Sequence, residues 1–219
     1  MTLITIVTKP VTVVIRVGAE NGCRMRKTDR SSKSVREDIL KRAAPFLKRH
    51  GTDGAPVDEI MKAAGLTSGA LYSQFKNKED LCTQTICSAL DAMLAGYGTT
   101  LRKRGKEGLK LIVAQYLSME HVAHVTEGCT FAALGSDMAK ASPRAKRAYE
   151  ARIQALVQLF VDALGAGPGA KRRAKAQQIL STMLGAVTFA RAMADADAAN
   201  EFLSQVRATT LRALDQRRL

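Results

Sequence analysis

The chain has 219 residues, 46% of them hydrophobic, which is enough for a buried core, and a formal charge of +14 that suits contact with nucleic acid. Alanine and leucine dominate, aromatics make up 5% and tryptophan is absent, a composition that favours helices. No run of about 18 uncharged apolar residues occurs, which argues against a membrane-spanning helix, and Cys23, Cys82, Cys87 and Cys129 show neither a C-x-x-C pair nor zinc spacing. Without a secretion signal, those cysteines read as reduced thiols in a cytoplasmic protein.

Residues 1–33 read as a flexible extension. The β-branched run TLITIVTKPVTVVIRV has strand character but finds no partner strand later in the chain. Arg24 to Lys33 carries five basic residues against Asp29. Helix 1 is expected to open at Ser34, where Ser34 and Glu37 form a capping-box pattern. Val35, Ile39, Leu40, Ala43, Phe46 and Leu47 make its buried stripe, with Pro45 inside it and Gly51 and Gly54 at its end.

Val57 to Asp80 organises the rest. Val57, Ile60, Met61 and Ala64 share one helical face, and Gly65 stands where a glycine ends a helix. Thr67 is placed to cap the next helix, which is expected to run to Lys76 with Leu71 and Phe75 on its inner side. The outer side carries Ser68, Gly69, Ala70, Tyr72 and Ser73, all but the tyrosine small. Two helices joined by a glycine turn, the second with a small polar outer face, make a helix-turn-helix, whose second helix is suited to the major groove of DNA. Asn77 is placed to cap a further helix. Lys78 beside that helix N-terminus suits a phosphate, as does the Tyr72 phenol.

Gly65-Leu66-Thr67-Ser68-Gly69-Ala70-Leu71-Tyr72-Ser73-Gln74-Phe75-Lys76-Asn77-Lys78-Glu79-Asp80-Leu81 resembles the tetracycline-repressor (TetR) family of bacterial regulators, above all in Leu71-Tyr72, Phe75, Lys78 and Leu81. Asp58-Glu59-Ile60 and Ala63-Ala64-Gly65 match the same family, and the resemblance spans roughly residues 35–94. It implies that Tyr72 and Lys78 contact phosphates and that Thr67, Ser68, Gly69, Ala70, Ser73 and Gln74 face the groove. It further implies homodimerisation through about residues 171–216, a small-molecule effector, and a basic arm that reaches a minor groove. A solvated leader is an equally good reading of that arm. Where family members carry Ser or Thr before the first helix of the motif, this chain has Ala55 and Pro56.

Beyond the motif, Leu81 to Arg104 reads as a long helix closed by Gly105, and Gly108 to Val125 as another. His121, His124 and Glu127 share a face there; a polar pocket wall is a simpler role for them than metal binding. Gly128 to Lys140 is a short helix with Cys129 at its start. A thiol at a helix N-terminus is drawn toward thiolate and suits an electrophile or oxidant sensor; the alternative is a small buried hydrophobe. Ser142 and Pro143 open a helix to about Leu164, and two last helices cover Lys171 to Ala194 and Asp197 to Arg217.

The expected fold is all-α: an N-terminal helix-turn-helix unit (34–81) joined by a long helix to a larger helical ligand-binding and dimerisation unit (82–219). From Ser34 to Leu81 there are 8 basic and 7 acidic residues, a net of +1, so the motif rather than bulk charge carries the DNA reading. The function expected is a DNA-binding transcriptional regulator, a ligand-released homodimeric repressor. The candidate effector pocket is Tyr97, Tyr116, Met119, His121, Cys129, Phe131, Tyr149 and Phe189, with Met93 a further wall. No catalytic constellation, cofactor motif or metal set stands out. The alternatives are a helical interaction module without specific DNA binding, and, with little support, an all-helical enzyme.

Overall fold

The computed structural model describes residues 32–215. The extension up to residue 31, with most of its basic run, lies outside the described residues. Among the described residues nine α-helices follow in order: α1 (Ser32–Gly54), α2 (Val57–Ala63), α3 (Leu71–Gln74), α4 (Lys78–Tyr116), α5 (Met119–Ala123), α6 (Thr130–Lys140), α7 (Pro143–Ala163), α8 (Gly169–Ala192) and α9 (Ala196–Asp215). A 3-10 turn, Ser68–Ala70, leads into α3. No strand occurs among the described residues, and none of the helices is long and apolar enough to cross a membrane.

The apolar stripes meet in one continuous core. Ile39, Ala43 and Leu47 of α1 pack with Ile60, Met61, Leu71, Phe75 and Leu81 around the motif. Ile86 and Leu90 of α4 continue that core toward Leu109, Val113, Phe160, Met183, Val187 and Leu203 in the body. Helix α4 is the spine, packed on α1 at its start and on α7 along its length.

Several local features differ from expectation. α1 is already helical at Ser32, so Ser34 lies within it and does not open it. The helix accommodates Pro45, and its break falls at Gly51, at φ 71°. α4 continues past Gly105 as a kinked helix, because only that residue leaves helical geometry (φ 52°, ψ −129°). Its second arm ends at Tyr116. Leu117 turns the chain, and Ser118 caps the separate α5 by accepting from the His121 amide. The single helix expected over 108–125 is therefore two. Asn77 does cap α4, accepting from the Asp80 amide at 2.8 Å, and the Ser142 hydroxyl accepts from the Ala145 amide at the start of α7.

Two left-handed glycines separate backbone strain from crowding. Gly65 ends α2 at φ 72° with open space where a Cβ would stand. A Cβ on Gly51 would lie 2.8 Å from Asp137 Oδ2, which the Thr52 amide already holds at 2.6 Å. Gly65→Ala should cost about 1 kcal/mol, the left-handed penalty alone. Gly51→Ala should cost about 2–3 kcal/mol, because the carboxylate can move only by giving up that amide. Thermal unfolding of the two variants gives the comparison.

Candidate nucleic-acid interface and sensor cluster

The reading element is built by its neighbours rather than by helix propensity. Leu71 and Phe75 anchor it inward, both nearly fully buried. Its outer face leaves Thr67, Ser68, Gly69, Tyr72 and Ser73 exposed, with Tyr72 at 74%, while Ala70 and Gln74 are half-buried. The element is shorter than the expected span of 67–76. Thr67 holds the extended cap conformation, but its hydroxyl makes no capping bond, and the first turn is 3-10. Phe75 is already extended, and Asp80 accepts from the Lys76 amide at 3.1 Å, which ends the helix at Gln74. Burial opposes the Asp80 charge, but the Lys76 amide, the Gln84 side chain and the nearby Arg36 and Arg144 outweigh it and hold the carboxyl below its usual range.

Arg36 of α1 is a residue that sequence reasoning missed. Its guanidinium donates to the Gln74 carbonyl at the end of the reading helix. It also donates twice to Gln84 Oε1 of α4, at 3.0 and 2.7 Å, and stacks 4.7 Å above the Phe75 ring. One side chain thus ties three elements together. Its only sequence signal is an arginine one position past the apolar Val35. Ser73 turns its hydroxyl back to the Ala70 carbonyl at 2.8 Å, leaving its lone pairs outward. Lys78 donates to the Asp53 carbonyl at 2.6 Å, which uses one of three ammonium protons. At the Ala55–Pro56 position, Ala55 is buried and Pro56 precedes α2 without a side-chain cap.

The expected effector residues largely converge in the body. Tyr116 and His121 meet edge to face with ring centroids 4.3 Å apart, as do Phe131 and Tyr149 at 5.2 Å. The Cys129 thiol lies within electrostatic reach of Tyr97, Tyr116 and Tyr149. Met119 is half-buried against the core. Phe189 does not join them: its ring is 64% exposed and edges onto Phe202 of α9 at 6.4 Å. Its helical spacing could not reveal which side of α8 faces inward. Met93 packs half-buried against the core.

Polar contacts order this cluster. The Cys129 amide donates to His121 Nε2 at 3.0 Å, which leaves the proton on Nδ1 to donate to the Tyr116 carbonyl at 2.8 Å. His124 takes the Glu120 carbonyl of its own turn, 2.8 Å away, so the two histidines do not share a ligand set. Among the described residues no three His, Cys, Asp or Glu are placed to hold a metal ion. Burial, then the nearby Arg191 and Lys48, pulls His121 below its ordinary value despite the Tyr116 carbonyl. Burial also pushes all three tyrosines far up, so their hydroxyls stay neutral. The Tyr116 hydroxyl is buried beside Cys129 with no hydrogen bond of good geometry.

Two further cations frame the cluster. Arg191 of α8 donates to the carbonyls of His121 and Val122 at 3.0 and 3.3 Å. Lys48 of α1 donates to the Gly128 carbonyl at 2.7 Å, one residue before Cys129, and burial lowers its pKa. Gly128 must be glycine: a Cβ would stand 2.9 Å from both Arg191 Nη2 and the His124 carbonyl. Cys129 occupies the N-cap position of α6, 8% exposed, and its side chain makes no capping bond. α1 is therefore tied to this segment twice, through Lys48 to Gly128 just before α6 and through Thr52 to Asp137 near the end of α6.

An exposed helix-turn-helix is seated on an all-helical body, with a polar aromatic cluster behind the seat. The family model for bacterial regulatory proteins, tetR family, matches residues 39–84. Over 59 residues the chain is 39% identical to the HTH-type transcriptional regulator AcrR of Shigella flexneri, a stretch of 27% of each chain. Over 91 residues it is 30% identical to the HTH-type transcriptional repressor KstR2 of Mycolicibacterium smegmatis, covering 42% of this chain and 44% of that one. The chain thus spans less than half the length of these curated relatives. The fold match is broader: a tetR-family transcriptional regulator from Agrobacterium tumefaciens superposes with a TM-score of 0.68 over 84% of this chain and 98% of its own, at 19% identity. Residues 39–84, the helix-turn-helix part of the chain, are thus similar to bacterial regulatory proteins of the tetR family.

Two measurements follow from this geometry. A histidine depressed by burial leaves the folded state binding fewer protons than the unfolded chain below the ordinary value of 6.5. Its contribution is complete above that value and is lost as pH falls from 6.5 through the folded value. The melting temperature should therefore drop between pH 7.5 and 5.5, and His121→Asn should flatten that drop. Arg36→Ala should lower stability by about 2–3 kcal/mol, since charged hydrogen bonds and a ring contact disappear together.

Proposed function

We propose that the protein is a cytoplasmic homodimeric repressor that binds operator DNA through the element 68–74 and releases it when a small molecule enters the body. In this reading residues 34–81 form the reading unit and 82–219 the sensing and dimerisation unit. Tyr72 and Lys78 hold phosphates, and Thr67, Ser68, Gly69, Ala70, Ser73 and Gln74 face the groove. The observation that carries the proposal is the double attachment of α1, at Lys48–Gly128 beside the tyrosine cluster and at Thr52–Asp137 near the far end of α6. A ligand that shifts Gly128 bears on the reader through Lys48. It switches the protein only if it binds the two reader positions with different affinity.

The Tyr116 hydroxyl supports an effector that brings a hydrogen-bond acceptor. A neutral buried donor without an acceptor costs about 1–3 kcal/mol, which such a ligand returns. The α8 and α9 faces, with Phe189 and Met193 exposed, support pairing with a second copy through about 171–216.

Fluorescence anisotropy with DNA from upstream of the protein's own gene tests the reading. Binding should exceed that of a scrambled duplex and weaken steeply with salt, by about 0.9 log units per log unit of salt for each phosphate contacted. Lys78→Ala should reduce that slope by about 1, and Tyr72→Phe should weaken binding without changing the preferred sequence. Equal binding to scrambled DNA at every salt concentration would favour an interaction module instead. Tyr116→Phe should leave the fold as stable or up to about 1 kcal/mol more stable, because it removes an unpaired hydroxyl, while blunting ligand release.

A further inference from the structure

A cleft of about 430 Å³ opens where α1 ends against the body. That is the size of a small-molecule site. Its walls come from both sides of the joint: Asp53 from α1, Lys78 and Glu79 from the start of α4, and Asp137 and Lys140 from α6. Its floor is apolar, made by the buried Ile86 and Met138.

The charge inside runs against that of the whole chain. The protein carries +14, yet the cleft holds three carboxylates against two ammonium groups. At the Cys82 sulfur, in the wall, the imbalance is sharper. Burial, with Asp53, Asp137 and Glu79 outnumbering Lys78, pushes that thiol up to about 11. Two of the carboxylates are already oriented. Asp137 Oδ2 accepts from the Thr52 amide at 2.6 Å, and Glu79 Oε1 accepts from the Ser142 amide at 3.2 Å. Each keeps a second oxygen for another donor. Lys78 is turned aside, its ammonium on the Asp53 carbonyl.

The spacing of these acids selects the kind of cation. Among the described residues no three carboxylates or other donors stand close enough to hold a metal ion. Acids spread around an apolar floor suit a molecule whose charge and body sit apart, with an ammonium at the acids and a hydrocarbon part on Ile86 and Met138. We propose that this cleft is a second effector site, one that takes a small organic ammonium ion. It is separate from the tyrosine cluster. Cys129 lies at the start of α6 and Asp137 to Lys140 at its end, about 15 Å away along the helix axis. An occupant bridges reader and body, because Asp53 belongs to one and Asp137 to the other.

Methyl NMR on the full chain, labelled at Met and Ile, tests the site with benzylammonium as the probe and with benzyl alcohol and benzoate as neutral and anionic isosteres. Benzylammonium should shift the Met138 and Ile86 methyl signals saturably. The Asp53→Asn, Asp137→Asn double variant keeps an oxygen for the Thr52 amide and should bind the probe at least tenfold more weakly. Lys140→Gln, at an exposed position, removes a like charge and should bind at least as tightly as the parent. Benzyl alcohol matching benzylammonium, an unchanged affinity in the double variant, weaker binding in Lys140→Gln, or no shift at Ile86 and Met138 would each overturn the proposal. No DNA enters this experiment, so its failure leaves the repressor reading standing.

Discussion

Asp137 holds the first broken turn of α1. The carboxylate accepts from the Thr52 amide, immediately after Gly51 adopts a left-handed conformation that leaves this amide outside the helical ladder. A helix break needs a partner for each amide it frees, and here the partner belongs to a different part of the molecule. The reading head is thereby attached at two places, through α4 on one side and through α6 on the other. A head attached at one place would swing freely. Attached at both, its position follows the relative placement of α4 and α6.

Within the head, the short reading element depends on the same economy of contacts. Four residues of α3 and a preceding 3-10 turn are too short to be helical on their own. Leu71 and Phe75 supply burial, and Arg36 takes the terminal carbonyl and spans to Gln84. The outer face is therefore free of structural duty. The side chains there are small, apart from one exposed tyrosine.

The body gathers half-buried polar groups around Cys129. His121 is oriented at both nitrogens, Arg191 and Lys48 take backbone carbonyls, and the tyrosines remain neutral. Such a network is rigid where every group is paired and responsive where one is not. The Tyr116 hydroxyl is the member without a hydrogen bond of good geometry, beside Cys129.

Much of this was legible in the chain. Periodicity, Gly65 and the Asn77 cap identified the motif, because helix ends and apolar stripes are local properties. Residues 116, 121, 129, 131 and 149 come together in one cluster, while Phe189 lies outside it, since α8 has apolar residues on more than one side. Arg36, Lys48, Arg191 and Asp137 were invisible as structural residues: a charged side chain reads as solvated until its distant partner is known. By itself the sequence determined most of the helices, the Asn77 and Ser142 caps and the face the motif turns outward, all set by neighbours within about four residues. Only the tertiary structure decided how far the reading helix extends, which carbonyls the buried cations take, and where reader and body touch. Those contacts join residues 38 to 85 positions apart, and their energies depend on distances that exist only once the core has closed.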